Sequence, residues 1–233
     1  MKNFDLMAIL LNADFGGMLV KGLQMTLKIA AGSWLLAMAV ALVLLTVRLT
    51  PSRLAERFVA AYVSYHRNVP TLVQVMLWYF GIFSLLPDGL QTWLSEHNAE
   101  ALLSIVALGL CQAAYFSEDL RSGLRAIPSG QTEAARALGH GYISSMRHVI
   151  LPQAVRNAVP ALVNHSVSLF KNSSLAMAIG VTELTHAVKE IESQSFRTFE
   201  AYFVATVVYL GFSLLIMAVG AWLDRRYSIV GTR

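Results

Sequence analysis

Four stretches of the chain carry no charged residue over a length that crosses a bilayer: Ile29 to Val47, Asn68 to Pro87, Ala101 to Ser117 and Ala201 to Leu223. A hydrocarbon layer of roughly 30 Å takes about 17–25 helical residues, so each run is long enough to span. A fifth run, Leu151 to Gly180, is interrupted by Arg156 and Lys171 and holds Pro152 and Pro160. The composition agrees: 56% of the 233 residues are hydrophobic and 14% charged, against about 25% charged in soluble domains. The expected fold is an all-α membrane protein, a five-helix bundle with its termini on opposite faces.

Lys and Arg counts orient that bundle, because cytoplasmic loops carry the excess. Arg48, Arg53 and Arg57 follow the first run; Arg121, Arg125, Arg136 and Arg147 follow the third; Arg225, Arg226 and Arg233 close the chain. The segment Asp88 to Glu100 has no Lys or Arg, and Val181 to Glu200 has Lys189 and Arg197 against Glu183, Glu190, Glu192 and Glu200. The N-terminus is therefore expected outside, in the periplasm, and the C-terminus in the cytoplasm. A pI near 9.3 is then the positive-inside bias of a bundle in membrane lipid and requires no nucleic acid. Met1 to Gly17 reads as neither a signal peptide nor a span. The one cysteine, Cys111, lies in an apolar run and is expected to be a buried, inert thiol; it excludes an internal disulfide, and no metal site is expected.

No repeat, low-complexity tract or soluble insert interrupts the chain, so residues 1–233 are expected to form one transmembrane domain. Its first span should begin near Met18, with Lys21 and Lys28 snorkelling. "LTPSRLAERF" reads as a turn and an amphipathic entry into the second span, and "SLLPDGLQTW" as a turn on the outer face.

One stretch is out of keeping: Gly130 to Pro152, "GQTEAARALGHGYISSMRHVILP". Pro128-Ser129-Gly130 favours a helix start, and Glu133 to Leu138 are strong helix formers. Gly139 and Gly141 end that helix and allow a sharp turn. A second short segment, Tyr142 to His148, precedes the next apolar run. Physical reading leaves two uses for such a knob. It lies on lipid headgroups, with Arg136 and Arg147 on phosphates, or it docks into a groove of a partner protein.

The spacing Glu133-Ala134-Ala135, three residues, Gly139, nine residues, Val149-x-Leu151-Pro152 resembles the EAA signature of bacterial ABC importer permeases, with Val149 where the family usually has Ile. "RNVPTLVQ" (Arg67 to Gln74), "AAYFSEDLRSGL" (Ala113 to Leu124), "ILPQAVRNAVPALVN" (Ile150 to Asn164) and "LFKNSSLAMAIGVTEL" (Leu169 to Leu184) resemble its polar amino acid subfamily. The resemblance implies a type I permease with five core spans in the bacterial inner membrane. It also implies a second permease subunit (a paralogue or another copy), a cytoplasmic ATPase dimer and a periplasmic amino-acid-binding protein. Glu133, Ala134, Ala135, Gly139, Leu151 and Pro152, in a loop of about residues 125–152, would then form the coupling element that seats on the ATPase. Glu133 would fix the loop by capping or pairing, in this chain or in the ATPase. ATP and Mg would belong to the ATPase, since no Gly-x-x-x-x-Gly-Lys-Ser/Thr loop occurs here and this subunit is expected to bind no cofactor and catalyse nothing.

Ionisable residues inside spans are costly and mark function by default; here they are Arg67, Glu118, Asp119, Arg121, Arg156, His165 and Lys171. Glu118 and Arg121, three apart, are expected to form a structural ion pair. Asn164, His165, Ser168, Lys171 and Asn172 recur at three and four, which gathers them on one helical stripe, and the small polar run after Lys171 suggests a broken helix of the kind transporter sites use. The alternative is a polar seam between two permease subunits. With Arg67, the stripe is the candidate substrate pathway. Sequences resembling this one often carry acids where His165 and Asn172 stand. A stripe with Lys171 and His165 and no carboxylate favours glutamate or aspartate, with glutamine or another neutral polar amino acid next. A stand-alone secondary transporter moving protons through His165 and Glu118 is the competing class; no catalytic pairing supports an intramembrane enzyme.

Overall fold

The computed structural model describes residues 5–227, and every regular element among them is helical. One turn, α1 (Met7–Leu10), precedes the long α2 (Ala13–Arg48). Helix α2 starts before the expected Met18 because Asn12 caps it, accepting from the backbone N–H groups of Asp14 (3.0 Å) and Phe15 (3.2 Å).

The second span, with its amphipathic entry, is not one straight helix. Helix α3 (Arg53–Asn68) gives way to α4 (Thr71–Met76), which continues through a π-helical stretch at Leu77–Ile82 and a 3-10 turn at Phe83–Leu85. The direction changes by 105° between them. Pro70 is the cause: it drives the preceding Val69 into extended geometry (φ −97°, ψ 130°), which ends a helix. Gln74 braces the corner. Its Nε2 donates to the carbonyls of His66 (3.2 Å) and Val69 (2.8 Å), and its Oε1 lies 2.6 Å from His66 Nδ1. Pro87, expected in an outer turn, instead starts the nine-residue helix α5 (Asp88–Glu96).

Helix α6 (Ala99–Arg125) is the centre of the bundle. In its most apolar window 67% of residues are buried, against 28% in α2 and 22% in α11 (Thr198–Tyr227). Those outer helices turn Leu35, Val43 and Leu215 outward, as lipid-facing helices do. Small residues let α6 be central, since in lipid close packing rather than water exclusion holds helices together. A Cβ on Gly109 would lie 2.8 Å from the Leu36 side chain, and one on Gly123 only 2.4 Å from the carbonyl oxygen of Ala154.

After α6 come α7 (Ser129–Ala137), α8 (Tyr142–Ser145), a π-helical stretch at Met146–Ile150 and α9 (Leu151–Asn172), which runs through Pro160. The helix then breaks as expected, tightening to a 3-10 stretch at Ser173–Ile179 that ends at Gly180 in the left-handed region (φ 92°). The apolar count differs from five. Helices α2, α6 and α11 are long and apolar enough to cross a membrane, and a fourth span arises if the bent α3–α4 pair counts as one. Helix α9 falls short because Arg156, Asn157, Asn164, His165 and Lys171 dilute it.

The expected outer loop, Val181 to Glu200, contains helix α10 (Leu184–Ser195). It packs tightly on α2 at Gly22, where a Cβ would meet Ala187 Cβ at 2.9 Å and Leu184 Cα at 3.0 Å. Glu183 caps it, accepting from the backbone N–H groups of Thr185 and His186 (both 2.9 Å) and from the Tyr209 hydroxyl (3.0 Å), with Thr26 Oγ1 at 3.4 Å. The side chain is fully buried and has no cation beside it among the described residues. Burial pushes its carboxyl above the ordinary carboxylate value, while the backbone N–H groups pull the other way.

Candidate functional site

Two regions carry the residues singled out by sequence. The first is the knob. Helix α7 closes in a Schellman motif: His140 N–H donates to the Ala135 carbonyl (3.1 Å) and Gly139 N–H to the Arg136 carbonyl (2.9 Å), with Gly139 at φ 84°. Gly141 has an ordinary φ of −68° and heads α8, so of the two glycines only Gly139 is conformationally required. Ala135 is buried against the base, and Gln153 Nε2 on α9 donates to Gln131 Oε1 on α7 (3.2 Å). Pro152 stands in the first turn of α9, where its missing N–H costs nothing, and Leu151 is partly exposed. Glu133 and Ala134 face outward. Glu133 has no side-chain hydrogen bond or ion pair among the described residues, so the expected capping or pairing does not occur within them. Leu138, Tyr142 and Ile143 are 81%, 66% and 79% exposed, an apolar tip beside an outward-facing carboxylate.

The second region is a cavity of about 240 Å³ where the start of α4 and helices α6 and α9 meet, lined by Thr71, Gln112, Tyr115, His165, Ser168 and Asn172 among others. The stripe therefore divides. At about 100° per residue, positions 165, 168 and 172 point into the cavity, while Asn164 and Lys171 fall on a neighbouring, exposed face and do not line it. Arg67 joins the site from α3: its guanidinium carbon lies 5.5 Å from the centre of the Tyr115 ring, whose centroid is 5.1 Å from that of His165.

The sequence reading that no carboxylate accompanies the stripe is corrected by Asp119. Its Oδ2 lies 2.6 Å from His165 Nδ1, and the Asp119 side chain is only 10% exposed. The two residues are 46 apart in sequence, so periodicity within α9 carries no sign of the pairing. Gln112 also escapes the sequence reading; it is buried, and its Nε2 is a donor on the cavity wall without a hydrogen-bond partner among the described residues. Buried donors are normally satisfied, and a ligand with carboxylate or amide oxygens would supply the acceptor this one lacks. Cys111 is buried as expected, donating weakly to the His66 carbonyl (3.7 Å). The Glu118–Arg121 pair forms (3.3 Å), with an addition: Glu118 also takes Arg48 from α2.

Similarity to known proteins extends along nearly the whole chain. The sequence is 30% identical over 224 residues to the glutamate/aspartate import permease protein GltJ of Escherichia coli (strain K12), covering 94% of this chain and 91% of that one. It is 31% identical over 225 residues to the arginine transport system permease protein ArtQ of Bacillus subtilis (strain 168), covering 96% and 97%. Among solved structures, an amino acid ABC transporter crystallised with histidines superposes with a TM-score of 0.83 at 27% identity, over 96% of this chain and 99% of that one. The binding-protein-dependent transport system inner membrane component family matches residues 35–229. The all-helical fold, the knob between α6 and α9 and this match agree: the chain belongs to that family, as a non-catalytic amino-acid ABC transporter permease subunit of the inner membrane.

Proposed function

We propose that the chain passes polar amino acids, with glutamate and aspartate first, from a periplasmic binding protein to the bacterial cytoplasm by alternating access, using the cavity between α6 and α9. The N-terminus lies in the periplasm and the C-terminus in the cytoplasm, and α9 completes five spans as a helix shielded by its neighbours and a second permease subunit. Asn164 and Lys171, on the exposed face of α9, belong to that subunit seam. The knob seats on an ATPase dimer that holds ATP and Mg: Leu138, Tyr142 and Ile143 enter the groove, and Glu133 pairs with a basic group there.

The observation that carries the acidic preference is Arg67. His165 is compensated by Asp119, so that pair offers no excess positive charge. Arg67, stacked on Tyr115, is the guanidinium beside the cavity with no acid paired to it among the described residues, and a carboxylate entering a low-dielectric site needs such a partner. A second reading, a neutral polar amino acid such as glutamine, is favoured by the compensated wall itself and by the amide and hydroxyl groups of Gln112, Asn172, Ser168 and Thr71. Sequence relatedness does not choose between substrates, because relatives of opposite substrate charge are equally similar. Uptake of labelled glutamate and glutamine into proteoliposomes holding the full complex tests this. Arg67→Gln should cut glutamate uptake at least about tenfold, the loss of one charge-assisted contact, and leave glutamine uptake within about twofold. Equal loss of both would refute the charge argument.

A further inference from the structure

A second cavity, of about 350 Å³, lies away from the amino-acid path, where the end of α2, the start of α3 and the end of α6 converge. Its walls carry four guanidiniums, Arg48, Arg53, Arg121 and Arg125, against one carboxylate, Glu56. Behind the wall, the single carboxylate of Glu118 serves both Arg48 and Arg121. Those two side chains are only 12% and 20% exposed, and Arg48 Nε is buried without a hydrogen-bond partner among the described residues. A purely structural ion network would match its charges. This one leaves positive charge half-buried, which is costly unless an anion neutralises it.

Position narrows the anion. Arg48 is the last residue of the apolar span α2 and Arg125 the last of α6, so the cleft opens at the depth of lipid headgroups. Leu45 and Leu124 give it an apolar side. Planar guanidiniums favour bidentate phosphate oxygens over spherical anions, and basic pockets between membrane helices suit anionic headgroups. We propose that this cleft binds a phosphate group, carried in the membrane by an anionic phospholipid; free phosphate shares the chemistry. Occupation ties α2 and α3 to the point where α6 leads into the knob, and so fixes the root of the coupling arm.

The test is native mass spectrometry of the full-length chain in neutral detergent, titrated with dioleoyl-phosphatidylglycerol in the presence or absence of inorganic phosphate. The double variant Arg53→Gln/Arg125→Gln removes exposed rim cations and leaves the Arg48–Glu118–Arg121 cluster to fold. Arg147→Gln, an exposed arginine outside the cleft, is the control. Phosphatidylglycerol should bind at least about tenfold more weakly to the double variant, as expected for losing two contacts to a charged group, and equally well to the control. Displacement of the lipid by millimolar inorganic phosphate, or phosphate binding that the double variant loses without any lipid effect, assigns the site to the soluble source. If neither lipid nor phosphate affinity responds to the double variant more than to Arg147→Gln, the proposal is wrong.

Discussion

Gly139 and Gly141 stand two residues apart in the knob and separate conformational need from mere small size. A Cβ added at either meets nothing within 4 Å, so steric contact between residues plays no part in the comparison. Gly139 alone of the two has positive φ (84°), which costs an L-residue roughly 1–2 kcal/mol. Gly139→Ala therefore destabilises the Schellman turn by about that amount, a factor of about 5–30 in the ratio of formed to unformed knob. Gly139→Asn recovers part of it, because Asn tolerates this region. Gly141→Ala, at φ −68°, should change little. The assay is affinity between the partner ATPase and the membrane-embedded chain, measured by titration, with helical content checked by circular dichroism. The expected order is wild type and Gly141→Ala within about twofold, then Gly139→Asn, then Gly139→Ala weakest, by up to about 5- to 30-fold. Equal damage from the two alanine variants would refute the reasoning, as would no damage from either.

Other consequences follow from the packing and the buried polar groups. Gly123→Ala places a Cβ 2.4 Å from the Ala154 carbonyl oxygen; α6 and α9 must part, and the variant should lose several degrees or more of melting temperature in detergent, where Gly130→Ala, in open space, should not. Gln74→Leu leaves two carbonyls and His66 Nδ1 at the α3–α4 corner without their partner and should cost about 1–3 kcal/mol, read as a lower melting temperature. Glu183 gives a pH signature. Its folded carboxyl titrates above the unfolded value of 4.5, so its contribution to stability is fully present below that value and is lost as pH rises through the folded one. The melting temperature of wild type relative to Glu183→Gln should therefore fall as pH is raised from about 5 to about 8; a difference independent of pH would contradict the burial argument.

What is legible in the sequence is local. The apolar runs locate α2, α6 and α11, and Glu133 to Gly139 mark a helix with its stop, because caps and propensities act within a turn. Glu118 and Arg121, three apart, announce their pair. The break at Pro70 is local too, since a helix ends before a proline, but the unbroken lack of charge from Asn68 to Pro87 reads as one span and hides the corner. Contacts between distant segments leave no such trace. Arg48 lies 70 residues from Glu118 and His165 lies 46 from Asp119, so neither partner is visible, and without Asp119 the charge balance of the cavity between α6 and α9 is misjudged. Spacing puts five polar residues on one stripe of α9, but it does not say that His165, Ser168 and Asn172 face the cavity while Asn164 and Lys171 turn outward. Glu183 goes unassigned because only burial, which a sequence does not display, sets a helix-capping carboxylate apart.

The most direct test of the account is substrate-stimulated ATP hydrolysis by the reconstituted complex, with its binding protein, across a panel of amino acids. Stimulation by glutamate and aspartate, or by glutamine in the second reading, with no response to arginine or lysine, is the predicted result. Stimulation by arginine or lysine without any by acidic or neutral polar amino acids would contradict it.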